Sequence, residues 1–154
     1  MPVPTPAPAD PAGYWAVKNL IATYAELVDT GDLAGLGTLL ADATFIGSSG
    51  PVRGRDTIQK MFRDTLIIYD DGTPRTKHIT TNIAVEVDEK TGTATSRSYF
   101  TVLQALPDMP LQPIASGRYH DRFRSRDGQW LFTERHVRVD LVGDVSRHLR
   151  REDG

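Results

Sequence analysis

The chain has 154 residues, of which 39% are hydrophobic and 25% charged, a composition typical of one globular domain with a sizeable core. Eighteen basic and twenty acidic residues leave a formal charge of −2, which gives no reason to expect nucleic acid or an anionic membrane as a partner. The absence of cysteine excludes disulfides, thiolate nucleophiles and cysteine–metal sites.

The N-terminal residues 1–9 carry four prolines at alternate positions, which predicts an extended proline-rich arm. This stretch has neither the basic nor the apolar region of a secretion signal, and no later stretch approaches the roughly 18 apolar residues of a membrane span. We therefore predict a cytoplasmic protein with its domain at 10–145. A charged C-terminal tail is predicted at 146–154, and its basic residues are interpreted as solvated.

Three helices are predicted before the sheet. Asp10 and Pro11 form a helix start, and apolar residues at spacings of three and four continue that helix to about residue 29. Gly31 ends this helix, and Asp32 caps a second one at 33–40. A short strand at 43–47 and a turn at 48–51 precede a third helix at 55–65.

The rest of the chain is predicted to form strands. Alternating residues indicate strands at 78–87 and 93–106, and a hairpin pairs 116–124 with 130–139 around Asp127-Gly128. Prolines at 107, 110 and 113 argue against a central strand there and predict a pocket rim or a subunit contact. The predicted fold is α+β, with three N-terminal helices on one face of a curved, mostly antiparallel sheet that forms a cone.

Two polar residues suggest a proton-transfer pair. Asp29 lies at a helix C-terminus, where the macrodipole disfavours negative charge, although an exposed turn residue is an equal alternative. His78 opens a strand on the same face as Thr80 and Asn82, and an ordinary surface histidine is the alternative there. If His78 points into the cone, Asp29 would fix its tautomer and raise its basicity.

Two further residues complete the candidate catalytic set. Arg135 shares a predicted face with Leu131, Thr133 and Val137, so its guanidinium needs a ligand or an acid as partner, and Asp29 is one such acid. Tyr24 lies on the apolar stripe of the first helix, as a proton donor or as a core aromatic with a satisfied hydroxyl.

The remaining histidines are weaker candidates. His136 is predicted on the face opposite Arg135, with Trp130, Phe132 and Glu134, and suits a subunit interface, while the face of His120 stays open. No metal-binding histidine spacing occurs, so no metal site is predicted, and phosphate-binding glycine motifs are also absent.

The chain resembles the nuclear transport factor 2-like superfamily, in the SnoaL-like branch that includes dehydratases and dehydrochlorinases. The likeness spans roughly residues 14–140 and is carried by VKNLIATY (17–24), LVDTGD (27–32), KHITTN (77–82), GRYHDRF (117–123) and DGQWLFTER (127–135). It implies a cone-shaped α+β fold, no cofactor, and a homo-oligomer, either trimer or dimer.

The site pattern resembles three enzymes of this superfamily. Tyr24, Asp29, His78 and Arg135 match bile-acid 7α-dehydratase position by position. Hexachlorocyclohexane dehydrochlorinase is similar at the last three positions but has a lysine where Tyr24 stands. Scytalone dehydratase shares the Asp–His pair and has a second pocket histidine, for which His120 is a loose candidate.

These resemblances imply a lyase that eliminates water or a similar leaving group from a small hydrophobic, hydroxylated molecule of alicyclic, steroid-like or polyketide-like structure. An isomerase or cyclase using the same base is an alternative. So is a non-catalytic ligand-binding or structural subunit, like the small subunit of ring-hydroxylating dioxygenases. An epoxide hydrolase of the superfamily would need two acids around an arginine, and Asp121, whose face the pattern leaves open, is the obvious second acid.

Overall fold

The computed structural model describes residues 1–3 and 11–151. Most of the predicted proline-rich arm, the Asp10 cap and the last three residues of the predicted tail lie outside this part. The helices are α1 (Pro11–Asp29), α2 (Leu33–Leu39) and α3 (Arg55–Thr65). The strands are β1 (Thr44–Gly47), β2 (Gly50–Arg53), β3 (Thr76–Asp88), β4 (Thr93–Leu106), β5 (Met109–Arg126) and β6 (Gln129–Val142).

One six-stranded sheet has the order β2-β1-β6-β5-β4-β3, and its pairs are antiparallel except for β1 with β6. Buried residues of the three helices and of one sheet face form a common core, which includes Val17, Ile21, Ile58, Phe100 and Phe132. The predicted α+β fold with a curved, mostly antiparallel sheet is confirmed. Among the described residues, no helix is long and apolar enough to span a bilayer.

A bulge in β6 corrects the predicted faces of that strand. Arg122 pairs with Glu134 whereas Phe123 pairs with Phe132, so Thr133 is an extra residue on β6. Simple alternation placed Phe132 and Arg135 on opposite faces, but the inserted residue brings both inside, where neither is exposed. Arg135 therefore lies in the core with Phe132, rather than on one face with Thr133.

A second bulge, in β3, places residues from two opposite predicted faces on the same side of the sheet. The pairing with β4 shifts between Thr81 and Ala84, and Asn82 has a φ of 53° there. Before the shift Thr76 and His78 face the helices, and after it Ile83 packs against the same core. Asn82 is exposed, so it does not share the face of His78 as the alternation predicted.

Two segments predicted as irregular are strands. The sequence predicts a turn at 48–51 and no strand between that turn and the third helix, but residues 50–53 form β2 and pair with β1. The proline-containing segment 109–113 begins β5 and pairs with β4, while pairing with β6 starts at Ala115. Pro110 and Pro113 are tolerated because this part of β5 has a partner on one side, so the missing N–H groups break no second ladder.

The basic segment after β6 is docked, which corrects its interpretation as a solvated tail. Gly143 N–H donates to the Ile114 carbonyl at 2.8 Å, and Arg150 N–H donates to the Thr65 carbonyl at 2.8 Å. Leu149 forms an antiparallel bridge with Leu66. Residues 143–150, named the cap segment below, therefore join the end of α3 to the sheet.

Gly31 fixes the chain where α1 ends. Its φ is +73°, and an added Cβ would lie 2.0 Å from the carbonyl oxygen of Gly72. We expect Gly31→Ala to lower the free energy of unfolding by roughly 2–4 kcal/mol, because it combines left-handed strain with a backbone clash. Gly128→Ala is the matched control, since Gly128 has a φ of +79° and nothing within 4 Å. Equal losses in urea titrations of the two variants would contradict the clash.

Candidate active site

The structure brings Asp29 and His78 together. The His78 Nδ1–H donates to Asp29 Oδ1 at 2.7 Å, and the His78 backbone N–H donates to Oδ2 at 2.8 Å. The Thr76 hydroxyl donates to Oδ1 at 2.8 Å. Both side chains of the pair are 8% exposed. The end of α1 and the start of β3 thus place a carboxylate and an imidazole in direct contact inside the domain.

These contacts determine the proton on the imidazole and the charge on the acid. Because a carboxylate only accepts, Nδ1 carries the hydrogen and Nε2 is left with a free lone pair. Burial alone would raise the pKa of Asp29, but the hydrogen bonds and charge of His78, with the Thr76 hydroxyl, outweigh it and lower that pKa. An ionised Asp29 would stabilise the imidazolium that forms when His78 accepts a proton.

Arg135 is paired with Asp121 rather than with Asp29. Its Nε and Nη2 groups donate to the two Asp121 carboxylate oxygens at 2.8 and 2.9 Å, and neither side chain is exposed. Burial alone would lower the pKa of Arg135, but the Asp121 carboxylate raises it above its usual value. Nη1 is buried without a partner, so one side of the guanidinium keeps a free donor.

Two tyrosines enclose the guanidinium. The Arg135 Cζ atom lies 4.2 Å from the ring centre of Tyr24 and 3.7 Å from that of Tyr119. Burial raises the pKa of Tyr24 to about 12, and the Asp121 and Asp29 carboxylates add to this effect while Arg135 opposes it. Tyr24 is therefore a protonated phenol, and the charges of both Asp29 and Arg135 influence its hydroxyl group.

The other two sequence candidates lie on the outer face of the sheet, away from the helices. His120 is exposed between the buried Tyr119 and Asp121, and it pairs across the strands with the half-buried His136. His120 therefore does not lie in the interior with the Asp29–His78 pair. Of the four predicted catalytic residues, Asp29 and His78 touch each other, while Tyr24 and Arg135 form a neighbouring cluster.

Two clefts lie beside this interior. One, of about 350 Å³, is on the outer face and includes Arg97, His120 and Glu134 in its lining. The other, of about 410 Å³, lies at the β3 edge and is lined in part by Asp29 and Thr76. The linings of these two clefts do not include His78, Tyr24 or Arg135.

Three further buried residues with polar groups lie near the site and are not among the four predicted catalytic residues: Tyr119, Asp121 and His148. The alternation of Tyr119, Asp121 and Phe123 was a usable signal, because a tyrosine and a phenylalanine on one side indicate a buried face. His148 gave no such signal, since it lies among charged residues after the last strand.

His148 contributes to the pH dependence of stability. Burial, with a smaller effect from the charge of His78, lowers the pKa of His148 from 6.5 to about 4, although Asp29 opposes this. The folded state therefore keeps His148 neutral where the unfolded state binds a proton. Stability is fully present above pH 6.5 and is lost as the pH falls towards about 4, by roughly 3 kcal/mol at most.

We therefore expect His148→Asn to flatten the decrease in unfolding free energy between pH 6.5 and 4. Urea titrations across this range provide the measurement, and His120→Asn, at an exposed position, is the control that should keep the slope. An unchanged slope in His148→Asn would show that His148 is protonated as readily in the folded as in the unfolded chain.

A family model described as a SnoaL-like domain matches residues 12–136. None of the curated proteins matches the chain. Among solved structures, a variant of Rv3472 from Mycobacterium tuberculosis, a protein of unknown function, is 28% identical with a TM-score of 0.68, and the match covers 84% of this chain and 72% of that one.

Two structures from Novosphingobium aromaticivorans show the fold. A putative scytalone dehydratase is 24% identical with a TM-score of 0.67, covering 85% of this chain and 86% of its own. A nuclear transport factor 2-like protein with a cystatin-like fold is 20% identical with a TM-score of 0.68, covering 82% of this chain and 81% of its own. The chain therefore belongs to the SnoaL-like domain family.

Proposed function

We propose that this protein is a cofactor-independent lyase of the dehydratase type. It would eliminate water or a similar leaving group from an alicyclic, steroid-like or polyketide-like molecule. The observation that carries the proposal is the 2.7 Å hydrogen bond between His78 Nδ1 and Asp29 Oδ1 in a nearly buried position. This pair has the tautomer, the orientation and the neighbouring charge that a general base needs.

The residues support a division of roles. His78 Nε2 takes a proton from the carbon next to an activating group, and Asp29 stabilises the resulting imidazolium. The unpartnered Arg135 Nη1 and the protonated Tyr24 hydroxyl are the donors for an oxygen that gains negative charge. The C–O bond then breaks, the electrons of the C–H bond form the double bond, and the proton held by His78 leaves with the oxygen as water.

The similarity to a putative scytalone dehydratase supports the same reaction class. An isomerase or cyclase is the nearest chemical alternative, because the same base would return its proton to another atom of the substrate. The mass of the product separates these reactions. A product lighter by one water supports the lyase, and a product of unchanged mass supports the isomerase or cyclase.

A specific observation favours a second, non-catalytic candidate. Arg135 is fully paired on one side with buried Asp121, and Tyr24 and Tyr119 pack against the guanidinium. An ion pair enclosed by aromatic rings also suits a ligand-binding or structural subunit, such as one resembling the small subunit of ring-hydroxylating dioxygenases. This candidate gains if the protein forms a stable complex with a larger partner and converts no small molecule.

Incubation with a panel of hydroxylated alicyclic ketones tests the proposal, with products followed by mass spectrometry. We expect at least one member of the panel to give a product lighter by one water. If no member of a broad panel is converted to any product, the non-catalytic candidate is favoured.

We also propose a homo-oligomer, either trimer or dimer. Ile79 and Leu141 end a row of paired residues across the outer sheet face, and Tyr99 lies on the same face. These three apolar side chains are 42–69% exposed, which is costly in a monomer. Light scattering is expected to give a mass above that of one chain, and Leu141→Glu is expected to lower it. A monomeric wild-type protein would contradict this.

A further inference from the structure

The cap segment is fixed independently of the His148 side chain. The His148 carbonyl accepts from the Ile67 backbone N–H at 2.9 Å, and the His148 N–H donates to the Val145 carbonyl at 3.0 Å. The Arg147 carbonyl accepts from the Gln104 side-chain amide at 3.1 Å. Backbone groups of the segment thus make these docking contacts. The His148 imidazole takes part in none of them, so it can be replaced without undocking the segment.

That imidazole lies beside the Asp29–His78 pair. The rings of His148 and His78 are 6.3 Å apart between centroids, with an interplanar angle of 61°. His148 is 7% exposed, and its Nδ1 is buried with no hydrogen-bond partner. A buried polar atom without a partner is costly, typically by about 1–3 kcal/mol, so its position beside the candidate base requires an explanation.

The separation of the two rings suits a shared oxygen. A direct N–H···N hydrogen bond of about 3 Å would bring the ring centres to roughly 5 Å, which is closer than the observed 6.3 Å. An oxygen within hydrogen-bond distance of one nitrogen from each ring needs centres roughly 6–7 Å apart. A hydroxyl group between the rings therefore fits the geometry better than direct contact.

The charges assign different roles to the two histidines. Asp29 contacts His78 directly, so an imidazolium formed on His78 would have a counter-ion beside it. His148 stays neutral, since burial and the charge of His78 lower its pKa to about 4. A neutral imidazole has one donor and one acceptor nitrogen, which suits it to hold a hydroxyl group without taking its proton.

We propose that His148 is a second substrate-contacting residue, which holds the leaving hydroxyl within reach of the His78 imidazole. This inference rests on the proposed dehydratase function and specifies its substrate as one with a hydroxyl next to the deprotonated carbon. His78 takes the proton from carbon and returns it to the oxygen that His148 holds. The C–O bond breaks, water leaves, and both histidines end in their starting protonation states.

The test uses cyclohexanol as a probe and the ring Cε1–H signals of the four histidines in two-dimensional NMR. We expect cyclohexanol to shift the signals of His78 and His148 but not those of His120 and His136. His148→Phe is expected to raise the Kd for cyclohexanol about fivefold, which corresponds to the loss of one ordinary hydrogen bond. His148→Asn, which keeps an amide near the Nδ1 position, is expected to retain most of the affinity.

His120→Phe is the matched control and is expected to bind the probe as the wild type does. If cyclohexanol shifts the His78 signal but binds to His148→Phe as tightly as to the wild type, the role of His148 is overturned. The proposed function then still stands. Cyclohexanol that shifts neither His78 nor His148 would remove the proposed function together with this inference. Should His148→Phe unfold, the wild-type spectrum carries the test, because cyclohexanol that shifts the His78 signal without shifting the His148 signal contradicts the predicted contact.

Discussion

Replacing His78 by asparagine is expected to lower turnover of a hydroxylated alicyclic substrate by at least about 100-fold while the protein stays folded. Asparagine places an amide near the Nδ1 position, so the contact with Asp29 is retained in part. The backbone N–H of His78 still donates to Asp29 Oδ2, which preserves the start of β3. What disappears is Nε2, the atom that would accept the proton from carbon.

The effect should appear in kcat rather than in KM, because the base acts in the transition state. Asp29→Asn is expected to lower kcat less, since His78 keeps its Nε2 but loses the charge that stabilises its protonated form. His120→Asn, on the exposed outer face, is the control and is expected to change neither constant. A His78→Asn variant with wild-type kcat would remove His78 from the reaction.

The sequence indicated the Asp29–His78 contact only as one alternative, because local signals fix the position of Asp29 but not the face of His78. Gly31, with its positive φ, ends α1 two residues after Asp29. Simple alternation from the core-facing Ile83 would place His78 on the opposite face, and the bulge in β3 is what brings His78 to the side of the helices. The helix bounds follow from local signals, namely the apolar spacing, the Asp32 cap and the glycines. Asp32 does accept from the Gly35 N–H at 2.8 Å, as its predicted capping role requires.

The partner of Arg135 could not be predicted, because it depends on a bulge and on sheet register. Without the extra residue at Thr133, Arg135 and Phe132 fall on opposite faces, and Asp121 has no determined side. Register pairs Asp121 with Arg135 across β5 and β6, a contact that no spacing along the chain encodes. His148 was missed for a related reason, since its burial results from the docking of the cap segment on Leu66 and Ile67.

Removing the Asp121 carboxylate is expected to cause the largest loss of stability. Asp121→Ala leaves the Arg135 guanidinium buried with no counter-ion, and breaking such a pair typically costs about 3–5 kcal/mol. Asp140→Ala is the matched control, because Asp140 pairs with Arg118 on the same two strands but both side chains are at least 40% exposed. That exposed pair should contribute much less, because solvent screens its charges. Urea titrations measure both, and equal losses would contradict a buried pair.

The double variant Asp121→Leu/Arg135→Met separates the two possible roles of Arg135. Replacing both charges by apolar side chains removes the uncompensated guanidinium, so most of the stability lost in Asp121→Ala should return. A stable double variant that no longer converts the substrate would support Arg135 Nη1 as the donor to the developing oxyanion. A stable double variant with wild-type kcat would limit Arg135 to the framework of the core, and the reaction would then depend on Asp29, His78 and Tyr24 without it.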